Sequence, residues 1–504
     1  VGKEHARLSA RGFRPSGLEV NGCNPNCYFY HGTGGVSNDL PGLRPWAIES
    51  KHRRPPPKRQ EVLAMLGFQL SPEQLEIQKK ARAFALKEIL PVAWHYDAVD
   101  DTPLPVLRKA WEAGIMNTDI PAAYGGKGYG LLENVVITEE LAAACPGLAT
   151  SIVDSSLGME PLRLSANTDL QKKYFPQVVK EFKLFCFATS EPTMGSDVAG
   201  IRCRATREGK DYLLNGTKYW VTNGGLADFM SIFATADPEK KHEGICGFVV
   251  EKDWEGVTIG RRIPKLGQRG SNTVGVRFKN VRVPKENVLA PPGEGFVLAM
   301  KTFARTRPAI GAFAVGAARS AMEFAIDYAK RRKAFGAPIA SFQAIQHKIA
   351  DMLQKVETSR LLVWKAAWEA DQGTDPTISA SIAKLYATEA ALEVASEALQ
   401  VFAGYGYTKM FPVEKLLRDT RLFRIYEGTS EVQRLILSGF ALGGFKPVMP
   451  PLEELPIHLE KDVVNGQGPT TAWRCRICGH VHYGEEPPEE CPYCFFPQSA
   501  FKKV

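Results

Sequence analysis

The sequence predicts an α+β protein with a small appended domain, and three observations carry that prediction. Helical periodicity fills the stretch after about Phe68, short β-rich runs replace it near Leu184, and helical periodicity returns at about Gly295. Four of the ten cysteines then crowd into the last thirty residues. The resulting organisation is an extension over 1–64, a helical domain over 65–183, a β domain over 184–294 and a second helical domain over 295–444. A Pro-rich linker over 445–470 and a cysteine domain over 471–504 follow.

Residues 1–64 are rich in Gly, Pro, Asn and Arg, and RRPPPKRQ (53–60) cannot continue a helix, so disorder is expected there. Residues 1–60 hold ten Lys/Arg and four Asp/Glu, which supplies +6 of the net +8. The rest is nearly balanced, which argues against a basic nucleic-acid face. No run approaches the roughly 20 uncharged apolar residues of a membrane span, so no transmembrane segment is expected.

In the first helical region, SPEQLEIQKKARAFALKEIL (71–90) offers Ser71 as N-cap and Pro72 at the first helical position. Leu75, Ile77, Ala81, Phe84, Ala85 and Leu90 share a face. LFCFATSE, DYLLNGTKYWVTNG, FMSIFATA, CGFVVEKD and NTVGVRFKNVRVP are strand-like runs divided by NG turns at 215–216 and 223–224, as in an antiparallel sheet. Long amphipathic segments then run to Leu442. Cys23, Cys27, Cys145, Cys186, Cys203 and Cys246 are scattered and mostly in apolar surroundings, the pattern of reduced thiols in a cytoplasm-like compartment. An organellar matrix is the alternative if the Arg-rich extension is a transit peptide.

Cys475, Cys478, Cys491 and Cys494 form two CxxC knuckles twelve residues apart. Such knuckles bring four thiolates around one tetrahedral metal, and sulfur-only sites suit both iron and zinc. A segment this short cannot hold itself together by apolar burial, so the metal supplies much of its folding free energy.

No G-x-G-x-x-G follows a strand; GYGYTK (404–409) follows a helix and has Lys409 at the third glycine position, against a nicotinamide site. In RIYEGTSEVQR (424–434), Ser430 and Gln433 could form a capping box, with Glu427 just before the helix and beside Gly428. Burial raises a carboxylate's pKa and a helix N-terminus lowers it, so a carboxylate placed there is either structural or a general base.

The motifs ATSEPTMGSDVAG (188–200), KYWVTNGG (218–225), RRKAFG (331–336), QVFAGYGY (400–407), PVEKLLRD (412–419) and IYEGTSEVQR (425–434) occur in this order in acyl-CoA dehydrogenases. From Phe68 to Leu442 the chain resembles that family, most of all its medium-chain type. The resemblance implies a helical–β–helical fold, FAD as cofactor and an acyl-CoA thioester as substrate. It implies that Glu427 abstracts the α-proton and that hydride leaves Cβ for the flavin, giving a trans-2-enoyl-CoA. Ser190, Trp220, Thr222 and Thr429 then correspond to flavin contacts. Arg332, Phe335, Gln400 and Gly404 correspond to contacts with the adenine–diphosphate half, partly across a subunit interface. Ser196 corresponds to a pantetheine contact and Arg307 to an arginine near the base. Family members form homodimers or homotetramers and pass electrons to a separate electron-transfer flavoprotein.

WRCRICGH…CPYC…PQSAF resembles a rubredoxin domain of the rubrerythrin type, with Trp473, Tyr483 and Phe501 as its aromatic core. That implies one iron held by the four cysteines and an electron outlet to an external acceptor; zinc in a docking tail and an enoyl-CoA reductase running in reverse are the alternatives. Three departures from the medium-chain pattern stand in the body: Thr193-Met194 before Gly195-Ser196, Ala304 in place of Asp, and Val153 in place of a polar residue near the pocket floor. In the tail, Phe495 stands where rubredoxins carry Gly, a place that strains Phe if φ is positive.

Overall fold

The computed structural model describes residues 69–446, 448–449 and 471–504. The expectations for residues 1–64, for Cys23 and Cys27 and for most of the linker lie outside them. Helices α1 (Pro72–Phe84), α2 (Ala93–Val99), α3 (Leu104–Glu112), α4 (Leu131–Ala144), α5 (Pro146–Leu164) and α6 (Thr168–Lys180) open the body. Ser71 caps α1 in a reciprocal box with Gln74. The helical path loosens into a π turn at Ala85–Ile89 and a 3-10 turn at Leu90–Val92, because Pro91 cannot donate to the ladder.

An eight-stranded sheet follows. It comprises β1 (Phe185–Ala188), β2 (Arg204–Glu208), β3 (Asp211–Thr222), β4 (Phe229–Thr235), β5 (Ile245–Glu251), β6 (Val257–Arg262), β7 (Thr273–Val283) and β8 (Val288–Ala290). The strand order is β6-β7-β3-β2-β4-β5-β8, with β1 beside β4. The expected antiparallel pairing needs one correction: β1 and β2 both meet β4 in parallel. Parallel pairing requires a long crossover, and the loop from Ala188 to Arg204 with the β2–β3 hairpin provides one.

The second helical region comprises α7 (Gly295–Arg331), α8 (Gln343–Asp371), α9 (Thr377–Phe402), α10 (Val413–Phe423) and α11 (Ser430–Gly439). A two-stranded hairpin, β9 (Lys333–Ala334) and β10 (Ala337–Pro338), separates α7 from α8. By length and composition α7 could cross a membrane, but its apolar window is 83% buried inside the protein and it packs against α4, α5, α8 and α9. It is the core helix of the body. A Cβ at Gly316 would lie 2.3 Å from the Glu139 carbonyl, so the α4–α7 contact exists only because that residue is glycine. Around the contact, buried Glu139 and Glu140 of α4 bind Arg319 of α7, Arg360 of α8 and Arg82 of α1. Burial pushes the Glu139 carboxyl up, but Arg360 and Arg319 hold it below the usual carboxylate range.

The tail is a three-stranded sheet, β11 (Ala472–Cys475) between β12 (Val481–Tyr483) and β13 (Phe501–Lys503). Its core is Cys475, Cys491, Ala500 and Phe501 with Trp473 packed against them, and the Trp473 indole N–H donates to the Gly484 carbonyl. Tyr483, the third aromatic expected in this core, is half-buried on β12.

Candidate active site and metal centre

Glu427 lies in the short loop between α10 and α11, with φ of 56°, and Gly428 follows at φ 86°. Two consecutive left-handed residues turn the chain sharply, and a non-glycine held there is strained in the way functional residues often are. The expected cap of α11 is corrected. Thr429, not Ser430, is the N-cap, and its hydroxyl accepts from the Val432 N–H. Gln433 donates its amide to the carbonyls of Glu427 and Gly428 instead of reaching back to an N–H. That grip holds the turn in place.

Thr306 and Arg307 of α7 face the loop. The Thr306 hydroxyl donates to Glu427 Oε2 at 2.7 Å, and the Arg307 Nε donates to the Glu427 carbonyl at 3.4 Å. From α9, Lys384 Nζ donates to the Gly428 carbonyl at 2.7 Å. Burial raises the Glu427 pKa, against the Thr306 hydrogen bond and the charges of Arg307 and Lys384. Burial also brings the Lys384 ammonium down to about 8. Asp154 on α5 is pushed well above the usual carboxylate range by burial and then by the charge of Glu427, and its Oδ2 has no partner among the described residues. The Glu427 backbone N–H likewise makes no hydrogen bond among the described residues.

On the sheet side, Trp220 at the end of β3 has φ of 59° and is 56% exposed, edge-on to Tyr219. The Tyr219 N–H donates to the Ser190 carbonyl at 2.8 Å, which ties the Ser190 loop to the Trp220 strand. Fully buried Lys218 donates to the Thr189 carbonyl and to Glu191, and Glu191 accepts the N–H groups of Arg202 and Cys203. The loop carrying exposed Ser196 is thus fastened at both ends; Pro192 and Thr193 make its tight turn, closed by Glu191 and Met194. Thr222 pairs with Thr273 of β7. Asn223 donates to the Ser151 carbonyl on α5, and a Cβ at Gly158 would lie 2.8 Å from Cys186. Helix α5 therefore sits directly on the sheet. Ala304 is buried in α7, and Val153 lines a cavity described below.

Arg332, Phe335, Gln400 and Gly404 are all exposed. Arg332 stacks over the Tyr405 ring, so the β9–β10 hairpin and the end of α9 meet, and Phe335 is 97% exposed at φ 51°. The predicted residues thus fall into three groups: the base with Arg307 and Thr429, the Ser190–Trp220–Thr222 corner, and this surface patch. Sequence reading missed Thr306, Lys384, Lys218 and Asp154, and it gave Gln433 a capping role in place of its grip on the Glu427 turn. The only signal for Thr306 is its place beside Arg307.

In the tail all four thiols lie within 4.8 Å of one another, with Cys475–Cys494 at 3.6 Å and Cys478–Cys491 at 3.5 Å. A tetrahedral centre with metal–sulfur bonds of about 2.3 Å needs sulfurs roughly 3.8 Å apart, so the set fits a metal. Backbone N–H groups of Ile477 and Cys478 reach the Cys475 sulfur, and those of Tyr493 and Cys494 reach Cys491. Gly479 (φ 81°) and Phe495 (φ 59°) turn the two knuckles identically, so Phe495 is strained as anticipated.

The body matches the N-terminal, middle and C-terminal domains of acyl-CoA dehydrogenase over residues 71–181, 186–281 and 293–442. Residues 473–502 match the rubrerythrin, rubredoxin-like domain. An acyl-CoA dehydrogenase of Bacillus subtilis (strain 168) is 41% identical over 374 residues, 74% of this chain and 98% of that one. The butyryl-CoA dehydrogenase of Megasphaera elsdenii superposes with a TM-score of 0.73 at 35% identity, covering 75% of this chain and 100% of that one. A chain from a structure of the electron transferring flavoprotein of Acidaminococcus fermentans has a TM-score of 0.73 at 34% identity, with 75% and 100% covered. Fold and site define an FAD-dependent oxidoreductase acting on CH–CH bonds. The chain belongs to the acyl-CoA dehydrogenase family and carries a rubredoxin-like domain with a four-cysteine cluster.

The residues present fit the flavin that this family implies. Buried Ser151 Oγ, Thr189 Oγ1 and Asn223 Oδ1 have no partner among the described residues, and they sit where α5 meets the Ser190–Trp220 corner. Native interiors rarely leave such atoms unpaired, and the polar edge of a ring system would satisfy them.

Proposed function

We propose that this protein dehydrogenates an acyl-CoA thioester to the trans-2-enoyl-CoA, with electrons leaving FAD through a rubredoxin-type Fe(Cys)4 centre for an external acceptor. Bound FAD would supply the hydride acceptor and the iron a one-electron outlet. Ser190, Trp220, Thr222 and Thr429 would hold the flavin ring, and Arg332, Phe335, Gln400 and Gly404 the diphosphate half.

The single observation that carries the reading is the setting of Glu427. Thr306 fixes one carboxylate oxygen and leaves Oε1 for the thioester α-proton. Its raised pKa makes it a stronger base than a solvated carboxylate. The Glu427 N–H would stabilise the thioester oxygen as negative charge develops on it. Arg307 and Lys384 keep the carboxylate ionised before it takes the proton, and Ser196 would steady the pantetheine arm.

Exposed Phe335, Tyr407 and Met410 support a homo-oligomer that covers them. Buried free thiols at Cys145, Cys186, Cys203 and Cys246 support a reducing compartment, the cytoplasm or an organellar matrix. The similarity to a chain from an electron transferring flavoprotein structure supports such a flavoprotein as acceptor. Deleting residues 448–504 tests the outlet: flavin reduction by acyl-CoA stays intact and onward transfer slows. Undiminished onward transfer in that truncation rules the outlet out.

A further inference from the structure

A cavity of about 330 Å³ lies between α4, α5 and α7, and Thr306, the residue that binds Glu427, stands in its wall. A thioester whose Cα meets Glu427 can therefore send its acyl tail into this space, whose near wall is apolar at Val153, Leu157 and Ala309. The rest is not. Asp119, Glu160, Arg163, Arg305 and Tyr129 line the same cavity.

These groups are built into the wall. Glu160 is buried and accepts from Nε of both Arg163 and Arg305 at 2.8 Å. Ser156 donates to Asp119 Oδ1 at 3.0 Å. Arg305 also gives Nη1 to the Ala370 carbonyl, which leaves its Nη2 without a partner among the described residues. The Tyr129 hydroxyl has none there either, and Lys127 lies over the Tyr129 ring. A hydrocarbon end placed against them would strip their water and return no hydrogen bond.

Charge narrows the choice further. A carboxylate at the tail end would face Asp119, Glu160 and Asp371, whereas an ammonium would face Arg163 and Arg305. Burial and Glu160 raise the Asp119 pKa, which favours the protonated, donating form. We infer that the acyl group this enzyme takes ends in an uncharged hydrogen-bonding group, a hydroxyl or carbonyl, seated against Asp119, Tyr129 and Arg305. This rests on the dehydrogenase reading above and adds the substrate class.

The test uses the FAD-loaded full chain carrying Glu427→Gln, so that binding is measured without turnover. Calorimetry compares butanoyl-, hexanoyl- and octanoyl-CoA, each with its ω-hydroxy and ω-carboxy derivative. At the best chain length the ω-hydroxy thioester should bind about tenfold tighter than its parent, the worth of one buried hydrogen bond, and the ω-carboxy thioester weaker than both. Adding Asp119→Leu should reverse the first preference. Tightest binding by an unsubstituted or ω-carboxy thioester would overturn the inference and leave the dehydrogenase reading standing. No binding by any thioester would overturn that reading as well.

Discussion

Glu427 and Phe495 are both non-glycine residues in the left-handed region, but they are there for different reasons. At Glu427 the strain is held by Gln433, Lys384 and Arg307 and serves to aim a carboxylate. Glu427→Gln should lower flavin reduction by acyl-CoA by about 10²–10⁴-fold while flavin stays bound, as read by stopped-flow bleaching. In the wild type that rate should fall as pH drops through a value above 4.5, because the raised pKa protonates the base earlier than a solvated carboxylate. Phe495 is 73% exposed, so little packing holds its side chain there. Phe495→Gly should therefore stabilise the metal domain by about 1 kcal/mol, read as roughly fivefold slower metal loss to a chelator. The motif around Glu427 made its position legible in the sequence. Its partners were not, since Thr306 and Lys384 come from helices 121 and 43 residues upstream and carry no local mark.

At the scale of elements, α7 organises the body because it meets α4, α5, α8 and α9 along one length. The buried carboxylate–guanidinium cluster at its middle is the most fragile part of that packing. Arg319→Met would leave Glu139 and Glu140 buried with too few partners, and should cost about 3–5 kcal/mol in thermal or denaturant unfolding. Helix and strand periodicities revealed which kind of element lay where. The parallel partnership of β1 and β2 with β4 was hidden, because pairing direction depends on where a crossover returns and not on the run of residues. The cap of α11 was misread by one position because Thr429 and Ser430 offer the same chemistry.

For the whole molecule, the central claim is that thioester oxidation in the body and the four-cysteine tail belong to one electron path. The sequence made both ends visible through spaced motifs, whereas the polar wall of the cavity required α5, α7 and the segment before α4 to be brought together. The most direct test is an anaerobic visible spectrum of the purified protein, with metal analysis, taken before and after acyl-CoA is added. The account predicts flavin bleaching together with loss of a ferric–thiolate band. Flavin bleaching with zinc in the tail, or with an iron band that never changes, would contradict it.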